Sequence, residues 1–168
     1  MFIADDEMLR RISLWQMGSL DAANWPRVWI AAGAVAIVMT LLPRDAAALN
    51  AFLLGESEAR HLGIAVDAVK RRLILLTAMA IGVSVAVAGT ISFVGLIVPH
   101  IVRLLIGPDH RYLIPASAMA GAILLILADA VARVVVAPAE LPAGILTALL
   151  GAPFFFSLLA KKRRAEVG

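Results

Sequence analysis

The side chains able to do chemistry are few and scattered in this sequence. It has three histidines, twelve acidic and fifteen basic residues among 168, and no cysteine. The missing thiols exclude a disulfide framework, thiolate metal sites and cysteine nucleophiles. His61, His100 and His110 lack the spacing of a metal pair and no His-Glu-x-x-His pattern occurs, so no metal site is expected. No glycine-rich loop ends in Gly-Lys-Ser/Thr, so the chain has no such device for holding nucleotide phosphates. No nucleophile stands beside a base. No catalytic residue is assigned, and the chain is not read as an enzyme.

Three polar constellations remain. Asp129 and Arg133 stand four apart, which on a helix puts them on one face with the acid N-terminal to the base. Charges at the end of an apolar span are costly unless paired or interfacial. The pair either helps set helix depth or offers Arg133 to an acidic partner outside the membrane, and spacing does not choose. The stretch LNAFLLGESEARHLGIAV places Leu49, Phe52 and Leu53 at helical spacing, breaks at Gly55, and allows a second short helix over 56–62 that closes at Gly63. Two short amphipathic helices joined at a glycine make a protruding loop, which either lies on lipid headgroups or packs into another protein. His100 follows Pro99 in FVGLIVPHIVRLL. Its ring is expected to bond a carbonyl freed by the proline; the alternative is a ligand for an iron-bearing substrate.

An apolar scaffold must position these groups. Hydrophobic residues make up 62% of the chain and charged residues 16%, with a mean hydropathy of +0.94. A soluble core of this size could not hide so much apolar surface, so the surplus faces lipid or other subunits. The net charge of +3 comes from short clusters between apolar runs, a pattern of membrane topology rather than of nucleic-acid binding. The opening MFIADDEMLRR is acidic before it is basic and lacks a long apolar core, so it is not read as a cleavable signal peptide.

The expected fold is an all-α, polytopic membrane protein with about five transmembrane helices. Stretch 73–102 carries no Asp, Glu, Lys or Arg and would run about 45 Å as one helix, beyond a hydrocarbon core of about 30 Å. Gly89, Ser92, Gly95 and Pro99 supply breaks, and basic residues flank both ends. Since cytoplasmic loops collect Lys and Arg, both ends are expected inside. The chain is therefore divided into an outer segment 1–27, a membrane helix 28–43, a cytoplasmic loop 44–72, and two passes over 73–106 turning outside near 89–92. A cytoplasmic link 107–112, a helix 113–134, an outer loop 135–142, a helix 143–160 and a cytoplasmic tail 161–168 follow. The alternative is one long tilted helix over 73–102 and four crossings. Small-residue faces at Gly82, Ser84, Ala86, Ala88 and Gly89, and after Pro115, indicate close helix packing. An odd number of crossings with an outer N-terminus reads as the back end of something longer.

GESEARHLGI, VAVAGTISFVGLIVPHIVRLLIGPDHRYLIP, LLILADAVARVV and PAELPAGILTALLGAPFFFSLLA, in this order, resemble the C-terminal half of FecCD-type permeases. These are membrane subunits of ATP-binding cassette (ABC) importers for iron chelates, haem and cobalamin. The resemblance spans about 15–161. It implies the last five helices of a ten-helix protomer, which works as a homodimer on two ATPase subunits in the bacterial inner membrane and receives substrate from a periplasmic binding protein. ATP would be used by the partner subunit, with no cofactor bound by this chain, and lipid rather than nucleic acid would surround it.

The resemblance further implies that Gly55, Glu56, Ala59, Arg60, Leu62 and Gly63 belong to coupling helices seated in an ATPase cleft. It makes Arg133 a docking arginine for the binding protein. It places Gly95, Pro99 and His100 in a family signature near the pathway, with no substrate contact carried over. The opening IADDEMLRRISLWQMGSL looks most like the haem-importing branch. Function is thus expected to be import of haem or another iron complex by alternating access. The alternatives are cobalamin as substrate, or a non-transporting fragment that needs a separate front half. A third possibility, an intramembrane enzyme, is disfavoured by the lack of a nucleophile and base placed together.

Overall fold

A computed structural model describes residues 6–20, 23–135 and 141–167. Among them every regular element is helical, as the apolar runs and their spacing predict. Helix α1 is Asp6–Gln16. Helix α2, Trp25–Leu41, starts at Asn24, whose side chain accepts from the Arg27 N–H at 3.0 Å, with Pro26 in the first turn where its missing N–H costs nothing. A 3-10 turn at Leu42–Asp45, entered through Pro43, carries the chain into α3, Ala46–Phe52. Helix α4 is Glu56–His61, α5 Val66–Ala88, α6 Val94–Ile106, α7 His110–Val135 and α8 Ala143–Val167.

The apolar run 73–102 is two helices, not one. Gly89 closes α5 at φ +72° and Phe93 stands at φ +65° before α6, so residues between them leave the helical path. The second helix consequently begins at Val94, just past the expected turn near 89–92, and has 13 residues, about 20 Å long. By length and composition three helical runs could cross a membrane, Trp25–Phe52, Val66–Ala88 and His110–Val135; Val94–Ile106 and Ala143–Phe156 are shorter apolar helices. Helix α5 starts at Val66, so Lys70, Arg71 and Arg72 ride on its first two turns instead of ending a loop. Of the expected outer loop 135–142, positions 136–140 lie outside the described residues, as do the side chains of the basic tail.

Helix α2 packs on α5, and α6 on α7, with α8 against both of the latter. Large apolar side chains point outward along these helices, as at Leu75, Leu105 and Val134. Lipid or another chain takes such surface without penalty, which is why so few large side chains are fully buried. Between α2–α5 and α6–α7 lies an apolar cavity of about 670 Å³, whose α6–α7 wall includes Val94, Gly95, Ala118 and Ala122.

At one end of the bundle three backbone segments meet. Ser19 N–H donates to the Ala88 carbonyl and Gly144 N–H to the Gly18 carbonyl, each at 3.0 Å, and the Thr90 hydroxyl bonds the Gln16 carbonyl. A Cβ on Gly89 or Gly144 would collide with the carbonyls of Trp15 and Met17, so glycine permits this junction. The α3–α4 loop and the α6–α7 link share the opposite end, where α3 packs on α7.

Candidate functional site

The α3–α4 unit is a small knob with its own core. Ala51, Ala59 and Val66 are buried together, backed by Phe52 and Ile64. Ala59 is fully buried, packed with Ala51 of α3 and Val66 of α5. Gly55 at φ +110° and Gly63 at φ +79° make the two reversals that separate α4 from its neighbours, a conformation side-chain-bearing residues rarely adopt. The knob is braced to the start of α5 by two ion pairs: Glu56 with Lys70, and Arg60 Nη2 with Asp67 at 3.2 Å. All four side chains are well exposed, so the pairs orient rather than hold the unit. Left on its surface are Leu53, Leu54 and Leu62, each more than half exposed. These leucines, rimmed by charge, form the exposed apolar surface of the knob.

Asp129 and Arg133 meet as their spacing predicts, with Arg133 Nε donating to Asp129 Oδ2 at 2.8 Å. Arg133 is the more exposed partner, at 56% against 22%. The Asp129 carboxylate therefore presents the guanidinium at the surface.

His100 departs from expectation. Its ring meets Phe154 of α8 edge to face, with centroids 5.7 Å apart and planes at 73°. The contact that the structure shows for this ring is therefore with Phe154, not the expected bond to a carbonyl freed by Pro99. Gly95, the residue whose carbonyl loses the Pro99 N–H, lies on the cavity wall. The structure thus places Gly95 by the cavity and His100 on the seam between α6 and α8. Among the described residues no group of three or more His, Asp or Glu could hold a metal ion.

Sequence reasoning missed two polar joints near the knob. Asp45, 3% exposed, forms a two-pronged pair with Arg72 of α5, Nε to Oδ2 at 2.6 Å. Asn50 of α3 reaches the start of α7: its Nδ2 donates to Asp109 Oδ1 at 2.8 Å, and its Oδ1 accepts from the His110 N–H at 2.9 Å and stands 2.7 Å from His110 Nδ1. Asp109 caps α7, Oδ1 accepting from the Arg111 N–H at 3.0 Å. These donors hold the Asp109 carboxyl below the usual carboxylate range. An Asp directly before an apolar helix is a readable cap signal. Nothing local in the sequence points Asn50 at it from 59 residues away.

With this geometry described, comparison with known proteins is informative. The chain is 47% identical over 167 residues to the hemin transport system permease protein of Yersinia pestis, covering 99% of this chain and 50% of that one. It is 44% identical to the vitamin B12 import system permease protein of Salmonella typhi, covering 93% of this chain and 48% of that one. A solved inward-facing structure assigned to the metal-chelate type of ABC transporter superposes with a TM-score of 0.85 at 36% identity, over 94% of this chain and 52% of that one. The chain thus spans about half the length of the relatives it matches. The profile of the FecCD transport family matches residues 1–161. On that match, and on an all-helical fold shared with a solved transporter, this chain belongs to the FecCD transport family.

Proposed function

We propose that this chain is a permease part of an ABC importer in the bacterial inner membrane, which moves haem or another iron complex by alternating access. The observation that carries the reading is the α3–α4 knob, with a packed core beneath and bare leucines above. Such a unit transmits force as a body, and in this reading it seats in a cleft of an ATPase subunit that uses the ATP. Gly55 and Gly63 shape it, Ala59 anchors it, Glu56 and Arg60 orient it, and Leu62 makes contact. The chain itself binds no cofactor.

Arg133 is the docking cation for an acidic side chain of a periplasmic binding protein, presented by Asp129. The cavity beside Gly95 and the α6 segment with Pro99 and His100 stand along the route. Lipid covers the outward apolar faces, a homodimer of the full-length permease is the working unit, and the C-terminus is cytoplasmic. The hemin permease relative favours haem; the vitamin B12 permease relative makes cobalamin the second reading.

The test uses the transporter purified from its native membrane with whatever subunits accompany it. ATP-driven uptake of haem into proteoliposomes is measured against ferric siderophore and cobalamin competitors. Gly55→Pro, which also removes the Gly55 N–H bond to the Phe52 carbonyl, and the reversal Glu56→Lys with Arg60→Glu should abolish uptake while leaving membrane insertion intact. If ATPase subunits still co-purify with these variants and substrate-stimulated hydrolysis is unchanged, the knob is not the docking element.

A further inference from the structure

Beside the Asp45–Arg72 pair that ties the start of α3 to α5, the knob has three polar links to the rest of the chain, and they differ in stiffness. Glu56–Lys70 and Arg60–Asp67 run through long, exposed side chains whose many rotamers let the ends shift without breaking the pair. The third link is short. Asn50 lies half-buried on α3 and meets two consecutive residues, Asp109 and His110, through both ends of its amide. Its oxygen satisfies the His110 N–H, one of the donors that the first turn of a helix leaves without an intrahelical partner. Its nitrogen holds the carboxylate that satisfies the next donor, Arg111 N–H. Helix α7 is thus capped jointly by its own Asp109 and by a side chain from the knob. Asparagine and aspartate have only two side-chain torsions each, so the three contacts fix orientation as well as distance.

Helix α7 then leads to the cavity. It packs on α6 and α8, and Val98, Val102 and Leu113 form a buried cluster where α6 and α7 meet. Ala118 and Ala122 of α7 lie on the cavity wall with Val94 and Gly95 of α6. A displacement of α3 therefore has a continuous route through Asn50 to one wall of the cavity, separate from the Asp45–Arg72 pair and the Val66 contact that tie the knob to α5.

Resting on the importer reading above, we infer that Asn50 is a positioning residue that locks α3 to the cap of α7, so that the knob and the α6–α7 wall move as one body during transport. The chain without partners gives the first test. Asn50→Ala should speed hydrogen exchange at the His110 and Arg111 amides about thirtyfold, the scale of two ordinary hydrogen bonds, without spreading to α5. Unchanged exchange would show that the joint does not exist in the membrane protein.

The second test reads coupling in the assembled transporter. Asn50→Ala should cut substrate moved per ATP hydrolysed, with ATPase subunits still co-purifying. Because the chain has no cysteine, Asn50→Cys with Asp109→Cys gives a clean pair. Unbridged, it should be uncoupled like Asn50→Ala; joined by a short cross-linker with two thiol-alkylating ends, it should recover. A bridged pair that stays uncoupled, or an Asn50→Ala transporter with normal yield per ATP, would overturn the one-body motion. If the unmodified transporter moves no substrate with ATP, the importer reading fails instead, and the exchange measurement alone decides whether the joint is real.

Discussion

Val66 offers the sharpest test of how the knob is held. Its side chain is 2% exposed and packs against Ala51 and Ala59. Val66→Ala removes two carbons at about 0.8 kcal/mol each, and the small neighbours cannot close the gap, so the total loss is about 2 kcal/mol. Since about 1.4 kcal/mol corresponds to a factor of ten, amide exchange in α3 and α4 should quicken about thirtyfold if the knob opens locally. The assay is hydrogen exchange read by mass spectrometry on the chain in nanodiscs, with α7 as internal reference. Leu54→Ala is the control, because Leu54 is 69% exposed and supports nothing beneath it. That variant should leave exchange unchanged yet weaken ATPase co-purification. A Val66→Ala chain with unaltered α3–α4 exchange would refute the claim that this small core stiffens the knob.

Topology is checked with single cysteines at positions 70, 111 and 90: the first two should react only from the cytoplasm and the last from outside, and labelling of 70 from outside in intact cells would overturn the arrangement. Arg133→Glu should weaken binding-protein docking at low salt, with the defect shrinking as salt rises, because exposed charges act through screened attraction. Neutralising Asp129 and Arg133 together should cost at most about 1 kcal/mol in stability and still dock poorly; unchanged affinity at low salt would leave the pair a structural role. Asp109, its carboxyl held below the usual range by Arg111 N–H and the Asn50 amide, stabilises the folded joint above the ordinary carboxylate pKa of about 3.9 and loses that effect as pH falls through its lowered value. Protection of the His110 and Arg111 amides, corrected for intrinsic rate, should therefore persist near neutrality and collapse in strong acid, and Asp109→Asn should abolish that dependence.

Much of this protein follows from one-dimensional pattern. Apolar runs of spanning length force helices, because only a helix satisfies every backbone group of an isolated segment in lipid. Gly55 and Gly63 mark the knob's reversals, since their positive φ is open to glycine at little cost, and spacing alone pairs Asp129 with Arg133. Local pattern also places a break within 73–102, though the shortness of α6 comes from residues beyond it. Gly89 turns where the backbone at Trp15 crowds it, and Phe93 is seated against Gly151 of α8. The ring that meets His100 is likewise a property of how α8 packs. Charge counts could assign Lys70, Arg71 and Arg72 to one side of a membrane, but only the folded chain decided that Arg72 goes to a buried Asp45 while Lys70 goes to Glu56. Asn50 is the extreme case. It reads as an ordinary polar residue on a short helix, and its role arises because the fold-back at Gly89 returns the chain, 59 residues on, to the same end of the bundle. Hydrophobic periodicity determines which segments are helices; which helix end meets which is decided by close packing and by the need of each first turn to find acceptors for its unpaired N–H groups.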